Sequence, residues 1–190
     1  MNQLPVWYLM RASGVVSLLL LTLVSALGVA TVSRWRQGRL PRFVTLALHR
    51  NVSLLAVVFL AVHVLTAVID PDATVRAITV VVPALGGRYG LWLGLGALAL
   101  DLVVALVITS LLRRRIPQRA WRALHYAAYL AWPVALLHGA GMGTDAGSAW
   151  MLGVVAACIA VFAGAVALRL LRAPSGAAKH LAPPRVRPAR

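Results

Sequence analysis

The sequence predicts an all-α integral membrane bundle of five transmembrane helices, on three observations. Of 190 residues, 61% are apolar and only 12% charged, where an ordinary soluble domain has about 25% charged residues. Five apolar stretches are long enough to cross a hydrocarbon core, which takes roughly 20 residues of helix. The cations gather in alternate connections between those stretches, as they do when a chain threads a bilayer.

The first stretch, Ala12 to Ser33, has only Arg11 before it and Arg34, Arg36, Arg39 and Arg42 after it. Its 22 residues are long for a cleaved signal core, so it is expected to be an anchor with the N-terminus outside. The other spans are Phe43 to Ile69, Tyr89 to Leu112, Trp121 to Gly141 and Ser148 to Leu168. In lipid a segment must satisfy its own backbone hydrogen bonds, and Leu-, Ala- and Val-rich stretches of this length do that as helices. Arg34 to Arg50 and Arg113 to Arg122 hold five cations each and Arg169 to Arg190 holds six, so 16 of the 19 fall on one side. That side is the cytoplasm, and the C-terminus is cytoplasmic. Trp7, Trp35, Trp92, Trp121 and Trp150 lie near span ends, where indoles favour the membrane interface.

A net charge of +15 would suggest nucleic acid in a soluble protein. Here the cations flank apolar spans, so the expected partner is the lipid bilayer of the cytoplasmic membrane, crossed several times, and no nucleic acid. Residues 1–173 form the expected membrane domain. Residues 174–190, with four prolines among basic residues, form an expected disordered cytoplasmic tail. The outer stretch Ala77 to Leu85 is too short to cross and is expected at the interface or over the bundle mouth. The single cysteine, Cys158, excludes an intrachain disulfide, a Cys-x-x-Cys pair and covalent haem attachment through Cys-x-x-Cys-His.

Of five histidines, four lie within spans: His49 and His63 on the second, His125 and His138 on the fourth. A polar ring at that depth is costly and marks a functional site by default. One such residue is ordinarily a satisfied packing histidine; two per helix, nearly equally spaced on two helices of the same direction, argue against that. Fourteen residues separate His49 from His63, about 21 Å of rise and about 40° short of four turns. Thirteen separate His125 from His138, about 19.5 Å. His49 is therefore level with His125 near the inner surface, and His63 with His138 near the outer one. In an ideal helix 13 residues end about 220° past three turns, so His125 and His138 do not share a face. Pro133, between them, is the expected place for a kink or altered winding.

Two imidazoles per level cannot supply the four converging donors of a structural zinc site. They suit a planar iron porphyrin, whose apolar ring belongs at lipid depth and whose propionates need cations. Arg42, Arg50 and Arg122 stand at the inner level and Arg76 or Arg88 at the outer. With both axial positions filled, such an iron passes electrons and leaves no open position for oxygen.

The stretch Leu48-His49-Arg50-Asn51 to His63, followed by Trp121-Arg122-Ala123-Leu124-His125-Tyr126 to Trp132-Pro133 and His138-Gly139, resembles the ferric reductase-like transmembrane domain. That family groups the membrane parts of ferric reductases and NADPH oxidases with the haem-binding membrane subunit of a bacterial periplasmic methionine sulfoxide reductase system. The likeness covers Arg34 to Leu171, and the two histidine spacings match the family's bis-histidine helices. It implies that His49 and His125 ligate an inner haem b iron and His63 and His138 an outer one. Electrons would run from the cytoplasmic side to ferric iron, oxygen or a periplasmic protein at the outer face. The family's oxidases carry FAD and NAD(P)H domains after the last span, whereas 17 residues follow Ala173 here. A partner is therefore the expected donor: a cytoplasmic flavin reductase, a soluble carrier or membrane quinol. Two other functions fit the same residues: a single-haem, quinol-fed subunit of a periplasmic repair reductase, and a non-redox transporter or channel whose histidines bind protons or metal.

Asp101, near the middle of the third span, is expected to make a structural hydrogen bond to a Thr109-type hydroxyl or a histidine nitrogen, with proton relay or a quinone site as alternatives. Gly90, Gly94 and Gly96 are expected to serve close helix packing, and Gly139, Gly141 and Gly143 a tight chain exit after His138. Tyr126, Tyr129, Trp132 and Phe59 are available for packing on a macrocycle or in an ordinary core. Cys158 is expected to be an apolar filler.

Overall fold

Long apolar segments with few helix breakers give long helices, and every secondary-structure element among the described residues is one. The computed structural model describes residues 4–32, 41–70, 75, 77–82, 90–142 and 145–171. Arg34, Trp35, Arg36, Arg39, Arg76, Pro83, Leu85, Arg88, Gly143 and the expected tail 174–190 lie outside the described residues. The helices are α1 (Leu4–Val32), α2 (Arg42–Ile69), α3 (Ala77–Val81), α4 (Gly90–Leu111), α5 (Gln118–His125), α6 (Ala128–Met142) and α7 (Ala149–Leu171). Four of them, α1, α2, α4 and α7, are long and apolar enough to cross a membrane. Helix α1 is central and packs on α2, α6 and α7, whereas α4 packs on α3, α5 and α6.

The fourth expected span is not one helix. Residues Trp121 to Gly141 are divided between α5 and α6 by a turn at Tyr126 and Ala127. The 15 residues of α6 rise only about 22 Å, short of the roughly 30 Å of a hydrocarbon core. At the break the backbone changes its bonding: Ala127 N donates to Leu124 O (3.0 Å), Tyr129 N to Tyr126 O (3.0 Å) and Leu130 N to Ala127 O (3.0 Å). Tyr126, at φ −66° and ψ −18°, has the matching tight-helix dihedrals. Bonds to the third residue back wind the chain at about 120° per residue instead of about 100°. The extra rotation supplies part of what an ideal helix lacks between His125 and His138. Pro133 sits inside α6, so the expected change of winding occurs upstream of the proline.

Hydroxyls within the spans bond to their own helix, as Ser17 does to Ser13 O (2.7 Å) and Ser53 to His49 O (2.6 Å), which removes their cost in lipid. Leu18, Trp132 and Cys158 form a buried cluster, with Leu21, Leu136, Val154 and Phe162 against it. Trp132 lies flat on Phe162, ring centres 4.0 Å apart, and its Nε1 donates to Thr22 Oγ1 at 2.7 Å. Trp132 thus belongs to the core joining α1, α6 and α7, and Cys158 is the filler expected.

Thr22→Val strands the Trp132 N–H in an apolar core, which costs about 1–3 kcal/mol; Trp132→Ala, which opens a cavity, costs about 3–5 kcal/mol. Thermal unfolding of the detergent-solubilised chain should rank Trp132→Ala below Thr22→Val below the parent, and equal melting temperatures would contradict this packing.

Candidate functional site

A cavity of about 2200 Å³ runs through the bundle between α1, α2, α4, α5 and α6. A drug-sized ligand fills roughly 300–1,000 Å³, so this space accommodates more than one bulky group. Leucine, valine and alanine make most of its wall, and all four span histidines line it. They stand in two pairs. The ring centres of His49 and His125 are 6.4 Å apart with planes at 70°, and those of His63 and His138 are 6.4 Å apart at 74°. The pairing expected from rise alone is therefore present at both levels. Among the described residues no three of His, Cys, Asp and Glu converge on a common point.

Three of the four rings are oriented through Nδ1. His63 Nδ1 donates to Met10 O (2.8 Å), His49 Nδ1 to Val24 O (3.1 Å) and His138 Nδ1 to Trp92 O (2.8 Å). A proton held at Nδ1 leaves the Nε2 lone pair available, the tautomer that ligates a metal. These acceptors are helix carbonyls already bonded within their own helices, and they are reachable for one reason. The residue four positions on is glycine each time: Gly14 after Met10, Gly28 after Val24, Gly96 after Trp92. A side chain at i+4 leans over the carbonyl of residue i, the position from which Ser and Thr bond back to it. A Cβ on Gly14 would lie 2.9 Å from His63 Cε1, on Gly96 2.6 Å from His138 Cε1, and on Gly28 3.4 Å from His49 Cε1. Met10 and Val24 are 14 residues apart, as His49 and His63 are, so antiparallel α1 presents both acceptors to α2 at the right heights. This signal stood in the sequence as paired glycines and was missed. Gly96, expected to serve helix packing, makes room for a histidine, and Gly141 makes room for the Trp92 ring.

His125 is the exception. Its buried Nδ1 has no hydrogen-bond partner among the described residues, and its ring stacks on Trp121 at 4.8 Å and 22° instead. Around this inner pair the cavity is rimmed by Arg50, Arg113, Arg122 and Arg169. Arg169 donates to Tyr129 OH (2.6 Å) and Tyr126 OH (3.1 Å), and Arg113 lies over the Trp121 ring, 5.7 Å from its centre. Arg50 and Arg122 line the cavity; the side chain of Arg42 lies outside the described residues, as do Arg76 and Arg88. At the outer level the cavity reaches Arg11, which the sequence gave no reason to single out. Arg11 pairs with Asp145 and lies over the Trp7 ring, 4.6 Å from its centre. Helix α3 covers part of this end through Thr79 and Val80. Tyr126 and Tyr129 line the cavity; Asp101 does not, and the hydrogen bond expected of it is absent among the described residues. Thr109 Oγ1 donates to Ala105 O (2.7 Å) in its own helix.

The family described as ferric reductase like transmembrane component matches residues 13–136. The chain belongs to this family. The match runs from α1 into α6 and takes in His49, His63 and His125. No curated protein and no solved structure matches the chain. Ferric reductase-like membrane domains generally bind haem, and the donor set can be tested against that group. An imidazole nitrogen binds a metal at about 2.0–2.1 Å, and in a five-membered ring with bonds of about 1.33 Å it lies about 1.1 Å from the ring centre. Two imidazoles on opposite sides of one metal therefore have centres about 6.3 Å apart, and both pairs stand at 6.4 Å. The residues fit a bis-imidazole haem at each level.

Overpacking costs about 1–3 kcal/mol where a neighbour cannot move. Alanine substitutions should lower the melting temperature in the order Gly96, Gly14, Gly28, with Gly90→Ala neutral because nothing stands within 4 Å of its Cβ position. An effect of Gly90→Ala equal to that of Gly96→Ala would refute the close approach of these histidines.

Proposed function

We propose that this ferric reductase-like chain is a multi-pass cytochrome b of the cytoplasmic membrane that carries electrons through two haems to an acceptor at the outer face. The observation that supports it most strongly is the pair of imidazole couples at 6.4 Å, one above the other in a single apolar cavity. His49 and His125 would hold the inner haem and His63 and His138 the outer one, and a haem so held would supply one-electron transfer.

The chain's own residues provide the rest. Val24, Met10 and Trp92 carbonyls keep three rings in the ligating tautomer. Arg50 and Arg122, joined by Arg113, offer propionate partners at the inner rim, and Arg11 offers one at the outer. Mostly apolar walls line the space between. In this reading α5 and α6 cross the bilayer together, the fourth span in two pieces. With 16 of 19 cations on one side, that side faces the cytoplasm, the N-terminus lies outside and residues 1–173 form the haem domain. The donor is a cytoplasmic flavin reductase or membrane quinol, and the acceptor lies in the periplasm or outside the cell.

Membranes holding the chain should give a reduced-minus-oxidised α band and about two haems per chain. His63→Ala and His49→Ala should each bring that to about one, since one imidazole does not hold a six-coordinate iron. One haem in the parent, unchanged by His63→Ala, would leave the single-haem subunit; no α band after growth with added haem precursor would leave the non-redox transporter.

A further inference from the structure

Helix α4 has two faces, and only one is explained by the cavity. Leu93, Gly96, Leu100, Val103 and Val107 line the cavity. On the other side Leu91, Leu98, Asp101, Val104, Ala105 and Ile108 are exposed. Among them Leu91, Leu98, Asp101, Ala105 and Ile108, spaced seven, three, four and three residues apart, follow the apolar seam of a left-handed helix pair, and most transmembrane bundles cross with that geometry. Asp101 interrupts the seam at the midpoint of α4, whose 22 residues span Gly90–Leu111. Among the described residues it makes no hydrogen bond and no ion pair, and it faces away from all four histidines.

A carboxyl group at the bilayer centre is costly. Long cationic side chains escape by reaching the interface, but aspartate has a single methylene and the interface is about 15 Å away. Asp101 needs a polar partner at its own depth, and nothing among the described residues comes to it. We propose that the outer face of α4 is the contact between two copies of this chain, with Asp101 of one copy hydrogen-bonded to Asp101 of the other across a two-fold axis along the membrane normal.

Two features select a second copy over an unrelated helix. The charge asymmetry that orients one copy orients every copy alike, so a second α4 brings its Asp101 to the same height with no further design. A carboxyl group is also self-complementary: in its acid form it is donor and acceptor at once, so two of them, or one acid and one carboxylate, satisfy each other. A two-fold contact is made by the same patch on both subunits, which a seam with one polar position on its own axis fulfils. A single polar residue at such a position fixes register in paired helices. The contact leaves the cavity face of each copy untouched.

The full chain in lipid nanodiscs provides the test. Leu98→Cys and Ile108→Cys should form disulfide-linked dimers on mild oxidation, whereas Leu55→Cys on the exposed side of α2 and the parent, whose Cys158 is buried, should not. Asp101→Leu should weaken dimerisation roughly 3- to 20-fold, as loss of an interhelical hydrogen bond in a membrane does. Asp101→Asn, whose amide also pairs with itself, should retain the dimer. Asp101→Lys should be monomeric alone and should pair with the parent when the two are co-expressed. A monomeric parent that gives no cross-link at positions 98 and 108 overturns the proposal and leaves Asp101 to a cationic helix of another protein; equal cross-linking at position 55 overturns it as non-specific association.

Discussion

An imidazole N–H inside a bilayer must find its acceptor within the protein, and most of this bundle's site follows from how that need is met. Three of four rings bond to helix carbonyls, and each carbonyl is uncovered by a glycine one turn on. That requirement ties α1 to α2. Two acceptors on one antiparallel helix reach two rings on another only if the spacings agree, and Met10 to Val24 matches His49 to His63. It also explains why α1, which carries no span histidine, is central: its carbonyls orient the two histidines of its neighbour.

The fourth ring is held differently, and its exception is local. His125 is the last residue of α5, directly before the turn that lets α6 start on a new phase. Carbonyls near that turn are engaged in the tightened bonding of residues 126–131. Trp121, one helical turn earlier, covers the ring face instead. The two levels are therefore unlike. The outer one has two anchored rings beside an arginine already paired with Asp145. The inner one has a single anchored ring and an open rim of arginines, braced where Arg169 meets Tyr126 and Tyr129. Guanidinium groups suit carboxylate and phosphate ligands alike.

Helix α4 shows how one segment divides its duties by face. Gly96 opens the Trp92 carbonyl toward His138, and the valines and leucines beside it wall the cavity. The opposite stripe carries a carboxyl group into the region least able to solvate it. Nothing in apolar composition separates the two stripes, since both read as leucine and valine with small residues between.

The sequence by itself determined the membrane bundle, the direction of its charge, the four histidines and their two levels. Rise per residue is fixed by helix geometry, and the cost of polar groups in lipid singles them out. Family membership was legible for the same reason, because spacing survives where apolar residues interchange. It did not determine the break at Tyr126 and Ala127, and it led to one continuous fourth span with a kink at Pro133. Continuous apolar sequence says nothing about where a chain trades one bonding pattern for another; the demand that His138 face His63 decided that. Only the tertiary structure revealed that Gly14, Gly28 and Gly96 open carbonyls toward histidines, that Arg11 lines the cavity and pairs with Asp145, and that Asp101 faces away from the cavity. Each depends on which side of one helix meets another, and helices apolar all round carry no periodicity to declare it.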